Sequence, residues 1–173
     1  MFQEITMTPR HFFIAIILTL ALPCLVWAAT PQTFTAQLTG AQEVPPVKTA
    51  ATGDATFKLS QDGKSIRYEV KVNHIIDITM AHIHLGQAGE NGPVAVWLYP
   101  VTGPPPALKP GSFTGILADG TITAKNLVGP LKGKPLSALV KDMKATKAYV
   151  NVHTKAYLEG EIRGELGPSP TGK

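Results

Sequence analysis

The sequence predicts an all-β fold, an antiparallel β-sandwich or barrel, and three observations carry that prediction. Short runs of alternating apolar and polar residues recur along the chain, the period at which successive side chains take opposite faces of a strand. The 173 residues include 16 glycines and 15 prolines, many of them in the turn-like stretches between those runs. Only one segment has helical spacing.

The first expected strand, Thr33–Thr39, alternates Phe34, Ala36 and Leu38 with polar residues, and Thr52–Ser60 repeats the pattern with Ala55, Phe57 and Leu59. The turn Gln61-Asp62-Gly63-Lys64 leads into Ser65–Asn73, where Ile66, Tyr68, Val70 and Val72 form a face opposite Arg67, Glu69 and Lys71. Further strands are expected at Ile78–His84, Pro93–Tyr99, Gly111–Ala124 (broken at Asp119-Gly120), Ala148–His153 and Gly160–Leu166. Pro100–Pro110 holds five prolines in eleven residues and is expected to be an exposed loop, since proline cannot serve an interior strand. Leu136, Leu139, Val140 and Met143 share one helical face just after Pro135, which predicts a short helix over Leu136–Lys144 across one end of the sandwich. Seven to nine short strands and one helix suit a Greek-key sandwich or barrel, Ig-like or superoxide-dismutase-like.

The ends read differently from the domain. Arg10 and His11 precede a largely apolar run from Phe12 to Val26, and Val26-Trp27-Ala28 supplies a small-residue site. That is the order of a secretory signal peptide, so residues 1–28 are expected to be removed. The apolar run is shorter than the roughly 20 residues needed to span a bilayer, so no stable membrane span is expected after cleavage. Cleavage would remove Cys24, the only cysteine, leaving an exported, periplasmic or secreted domain over residues 29–166 that cannot form a disulfide. Residues 167–173 read as a polar, disordered tail. The net charge of +4 comes from scattered lysines without interleaved aromatics, so no nucleic-acid surface is expected.

One constellation suggests chemistry. In Ala81-His82-Ile83-His84 the two histidines share a strand face, and in Tyr149-Val150-Asn151-Val152-His153-Thr154 the residues Asn151 and His153 share another. If the strands pair, His82, His84 and His153 form an imidazole cluster suited to a transition metal, copper before zinc. The bland reading is that these histidines hydrogen-bond to carbonyls and carboxylates and tie loops to the sheet. Met80 lies on the face of His82 and His84 and is a candidate thioether ligand or an ordinary core residue. Glu161 shares a face with Arg163 and is expected as an outer acceptor for an imidazole N–H, or as half of an ion pair that secures register. His74 is assigned to surface or loop. Gly86, Gly89 and Gly92 lack the dinucleotide spacing and a following helix, and read as a connection. Trp97 and Tyr99 face opposite Val94, Val96 and Leu98. No nucleophile elbow and no Ser–His–Asp arrangement is present, so no catalytic residue is assigned and an enzyme is not the expected reading.

Ala81-His82-Ile83-His84-Leu85-Gly86, Gly89, Gly92-Pro93-Val94, the run Tyr149–Thr154 and Gly160-Glu161-Ile162-Arg163-Gly164-Glu165 together resemble the CHRD domain. The opening Phe34-Thr35-Ala36-Gln37-Leu38-Thr39-Gly40-Ala41-Gln42-Glu43-Val44-Pro45-Pro46 fits its usual start, and the resemblance runs from about Thr33 to Leu166. The module is named for chordin, where it occurs in a protein that binds extracellular signals, and is widespread in secreted bacterial and archaeal proteins. It implies an exported β-sandwich or barrel whose activity is mostly unassigned. The chain departs from the pattern at Lys155-Ala156-Tyr157-Leu158-Glu159, where the family usually has an Asn-Pro turn. The expected function is an exported binding module whose histidines hold copper, with zinc as the alternative ion. Two other readings stand beside it: a protein-interaction or structural module with a partner in the envelope or outside the cell and no metal, and a copper-dependent redox enzyme.

Overall fold

A computed structural model describes Met1 and residues 32–170, so the expected signal peptide lies outside the described residues. Strands β1 (Thr33–Thr39), β2 (Thr52–Leu59), β3 (Ile66–Leu85), β4 (Val94–Tyr99), β5 (Lys109–Ile122), β6 (Ala148–Thr154), β7 (Ile162–Glu165) and β8 (Gly167–Pro168) form one antiparallel sheet, with a single α-helix among the described residues, α1 (Leu136–Lys144). The sheet closes on itself. β1 pairs β2, β2 pairs β3, β3 pairs β6, β6 pairs β7, and β7 returns to β1 at Thr39↔Arg163. The all-β, barrel-like architecture expected from the alternation is therefore the one observed.

Closure depends on β3, which serves two parts of the sheet. Its first half lies between β2 and β5, and its second half between β6 and β4. Alternation suggested two strands here, ending at Asn73 and resuming at Ile78. The chain instead forms one bent strand, with His74 and Asp77 in the left-handed region at φ 53 and register shifts against β5 between Val72 and Ile75 and between Ile76 and Ile78. Such bulges bend a strand without ending its pairing. They are held locally: the His74 N–H donates to Thr114 Oγ1 (3.0 Å), and Asp77 Oδ1 accepts from the Gly111 N–H (2.7 Å). His74 is exposed, as expected. β5 likewise runs unbroken through Asp119 and Gly120.

The inner face carries the apolar core, including Phe34, Leu38, Phe57, Val70, Ile83 and Val152, all fully buried. Helix α1 occupies its predicted span and buries Leu136, Leu139, Val140 and Met143, with Pro135 as N-cap and Lys141 and Lys144 near the negative end of its dipole. Residues 167–169, expected within a disordered tail, are instead ordered: Gly167 and Pro168 pair with Thr35 and Phe34, and the Ser169 N–H donates to the Thr33 carbonyl at 2.8 Å. A backbone donor and acceptor next to the open part of β1 extend the sheet despite a turn-forming composition.

β6 positions the candidate site. All seven of its residues are buried, although Tyr149, Asn151 and His153 alternate with the core residues Val150 and Val152. A strand buried on both faces needs a cover over its polar side. Three loops supply it: Gly40–Lys48, Gly86–Pro93 and Lys155–Gly160.

Candidate metal centre

On the outer face of the β7-β6-β3-β4 part of the sheet, Met80 stands opposite His153, His82 opposite Asn151, and His84 opposite Tyr149. The pairing expected from the two histidine runs is thus the observed register. One ring nitrogen from each of His82, His84 and His153 lies within 4.8 Å of the others. His82 and His153 are only 3% and 6% exposed, and His84 is half-buried.

The hydrogen bonds fix the tautomers. His153 Nδ1 is 2.9 Å from the Leu158 carbonyl and His84 Nδ1 is 2.8 Å from the Gly92 carbonyl. A carbonyl can only accept, so both Nδ1 atoms carry the proton and each neutral ring presents a bare Nε2. His82 Nδ1 lies 3.1 Å from His153 Nε2 and must therefore donate to it, leaving His82 Nε2 bare as well. Neither His82 Nε2 nor His84 Nε2 has a hydrogen-bond partner in the protein, though both are buried. Burial pushes the His82 ring down from 6.5 to about 3, helped by His153 and His84. Burial also pushes His84 down to about 4, against the bond to Gly92, and lowers His153 against its bond to Leu158. All three rings are neutral at physiological pH, the protonation state in which imidazole binds a metal.

Aromatic side chains wall the cluster. Trp97 meets the His82 ring edge-on at 4.3 Å, and Tyr149 stacks on His84 at 5.0 Å with planes 12° apart. The Tyr149 hydroxyl accepts from the Gly92 N–H at 3.0 Å, so one residue orients His84 both directly and through the loop that holds its Nδ1. Gly92 admits no side chain, because a Cβ there would overlap the Leu85 carbonyl.

Arg163 organises the cover. It is fully buried, packs its guanidinium 3.5 Å over the Tyr149 ring, and donates to the carbonyls of Glu90 (2.8 Å) and Gln87 (3.0 Å). Its carboxylate partner is Glu165, at 2.8 Å. Glu161 is not brought to the imidazoles. Its two oxygens accept from Thr49 Oγ1 and Thr154 Oγ1, both at 2.7 Å, so backbone carbonyls take the acceptor role for which Glu161 was a candidate. Met80 is half-buried on the same face. Sequence reasoning missed Trp97, Tyr149 and Glu43 as members of this layer. Glu43, 4% exposed, accepts from Asn151 Nδ2 at 3.3 Å, and burial raises its carboxyl from 4.5 to about 7 against the pull of Arg163 and Asn151.

A family model of the CHRD domain matches residues 34–166. The chain belongs to the CHRD domain family. No curated protein and no solved structure matches it. The match spans the whole ring of strands and all three histidines, and it places the chain among binding modules. The departure at Lys155–Glu159 falls in the CHRD domain's cover over His153, where Leu158 supplies the carbonyl that fixes the ring. Among the described residues no helix is long and apolar enough to cross a membrane.

Proposed function

We propose that this CHRD domain is an exported binding module whose His82, His84 and His153 hold a transition metal, copper before zinc, for carriage, buffering or structure. The observation that carries the reading is the approach of three neutral imidazoles, one ring nitrogen of each within 4.8 Å of the others, with His82 Nε2 and His84 Nε2 buried and unpartnered. A metal on His153 Nε2 would replace the hydrogen bond it accepts from His82 Nδ1. An unsatisfied buried acceptor costs about 1–3 kcal/mol, and a metal ion removes that cost. Ligand histidines commonly donate their second ring N–H to a backbone carbonyl, as His84 and His153 do here. With bonds near 2.0–2.1 Å, two ligand atoms of one ion lie about 3.5 Å apart in a trigonal or tetrahedral shell, so the widest pair, within 4.8 Å here, must close by about 1 Å on binding. Met80 adds a thioether on the same face, opposite His153. Irving–Williams ordering places copper ahead of zinc at a nitrogen site.

The test follows the imidazole nitrogens by NMR while copper(I) or zinc is added to the purified protein. Metal binding shifts the ring signals of His82, His84 and His153 together at one equivalent and leaves His74 in place; equal responses from these four histidines would reject the site. Export is tested separately, by mass spectrometry of the cell-made protein, which should begin near Ala29. A metal-free protein-interaction module draws on a different observation, the exposed apolar side chains of Val101 and Leu108 on the Pro-rich loop; loss of partner capture in a Val101→Ser/Leu108→Ser variant would support it.

A further inference from the structure

Resting on the metal reading above, the geometry points to a three-coordinate Cu(I) ion as the occupant of the His82–His84–His153 cluster, in preference to Cu(II) or Zn(II). The charge around the cluster argues first. Among the described residues no hydrogen bond joins these imidazoles to a carboxylate: Nδ1 of His84 and of His153 end on carbonyls, and the buried carboxylate of Glu161 is occupied by two threonines. The fully buried Arg163, packed on the Tyr149 ring that also stacks on His84, holds the Glu165 carboxylate as its own ion-pair partner at 2.8 Å. The cost of placing an ion in a poorly solvated interior grows with the square of its charge, and only paired charges escape it. A monovalent ion among neutral rings therefore meets a far smaller cost than a dication.

Coordination number argues the same way. The cluster offers three imidazoles, and His82 and His153 are almost wholly buried, so a water completing another shell would have to reach the ion from the side of the half-buried His84. Zinc takes four ligands, and Cu(II) favours tetragonal sets. Three nitrogens suffice for Cu(I). The neighbour on the same face is again a soft group, the half-buried thioether of Met80 opposite His153, which suits Cu(I) better than the divalent ions.

The test titrates the purified protein anaerobically with Cu(I) held by bicinchoninate, and separately with Cu(II) and Zn(II). The comparison variant is His84→Gln, chosen because His84 is the most exposed of the three; far-UV dichroism checks its fold, and Trp97 fluorescence gives a second binding signal in the wild type. The expected result is one equivalent of EPR-silent copper in a three-nitrogen shell, bound more tightly than Zn(II). A stoichiometric Cu(II) EPR signal, or zinc bound as tightly as Cu(I), would overturn the Cu(I) assignment and leave the metal site standing. Binding of none of the three ions would remove the metal reading itself.

Discussion

Glu43→Gln isolates the energetics of the polar layer under the loops. Burial raises the Glu43 carboxyl from 4.5 to about 7, so the folded chain keeps this proton over a range in which the unfolded chain has lost it. The group's contribution to stability is then fully present below pH 4.5 and is lost as pH rises through about 7. At about 1.36 kcal/mol for each tenfold change in proton affinity, the loss is on the order of 3 kcal/mol. Glutamine keeps the shape, cannot ionise, and can donate to Asn151 Oδ1, a buried oxygen that has no donor. Urea unfolding of wild type and variant at pH 5 and pH 8 measures the effect. Because the unfolded carboxyl is already mostly ionised at pH 5, the difference between the two proteins should move by about 2.5 kcal/mol in favour of the variant at the higher pH, a relative midpoint shift of about 0.8 M or more for m-values of 1–3 kcal/mol/M. Parallel behaviour at the two pH values would refute the reasoning, because it would mean that Glu43 ionises in the fold without cost.

The histidines work in the opposite direction. Because the His82 and His84 pKa values are depressed to about 3 and about 4, the unfolded chain takes up protons below pH 6.5 that the folded rings refuse, and apoprotein stability falls as pH drops from 6.5 toward 4. A metal on these rings keeps its affinity between pH 8 and pH 6, whereas histidines of ordinary pKa would begin releasing it at the lower value; titrations at the two pH values decide between them. Arg163→Met leaves Glu165 and two loop carbonyls without their donor and should cost about 3–5 kcal/mol in chemical denaturation, while Arg163→Met/Glu165→Leu should recover part of the loss. Gly92→Ala drives its Cβ into the Leu85 carbonyl and displaces the acceptor of His84; a melting temperature within a degree of wild type would contradict the close packing described for that loop.

The parts of the structure legible in the sequence are those encoded by side-chain period. Leu136, Leu139, Val140 and Met143 marked α1 to its boundaries, and the two His-bearing runs gave both the face and the pairing of the cluster. The continuity of β3 was hidden because the positive-φ residues His74 and Asp77 interrupt the alternation as a turn would, although pairing with β5 resumes after each shift. Glu161 was placed on the face of Arg163 as an acceptor, but alternation assigns a face and not a neighbour, and its oxygens are taken by Thr154 and by Thr49, 112 residues away. The groups that orient His84 and His153 are main-chain carbonyls of Gly92 and Leu158, which no side-chain pattern announces. Glu43 arrives from a loop 108 residues before Asn151, a distance at which only the closed ring of strands makes the two neighbours.

The central claim is that three neutral imidazoles form a metal site, and calorimetric titration with copper and zinc of the wild type beside a His82→Ala/His84→Ala/His153→Ala variant tests it most directly. The account predicts one equivalent of metal bound with a dissociation constant of about 1 μM or tighter, and loss of that binding in a variant whose dichroism still reports a folded β protein. Equal, weak binding by both proteins would contradict it and make the histidine cluster part of the architecture alone.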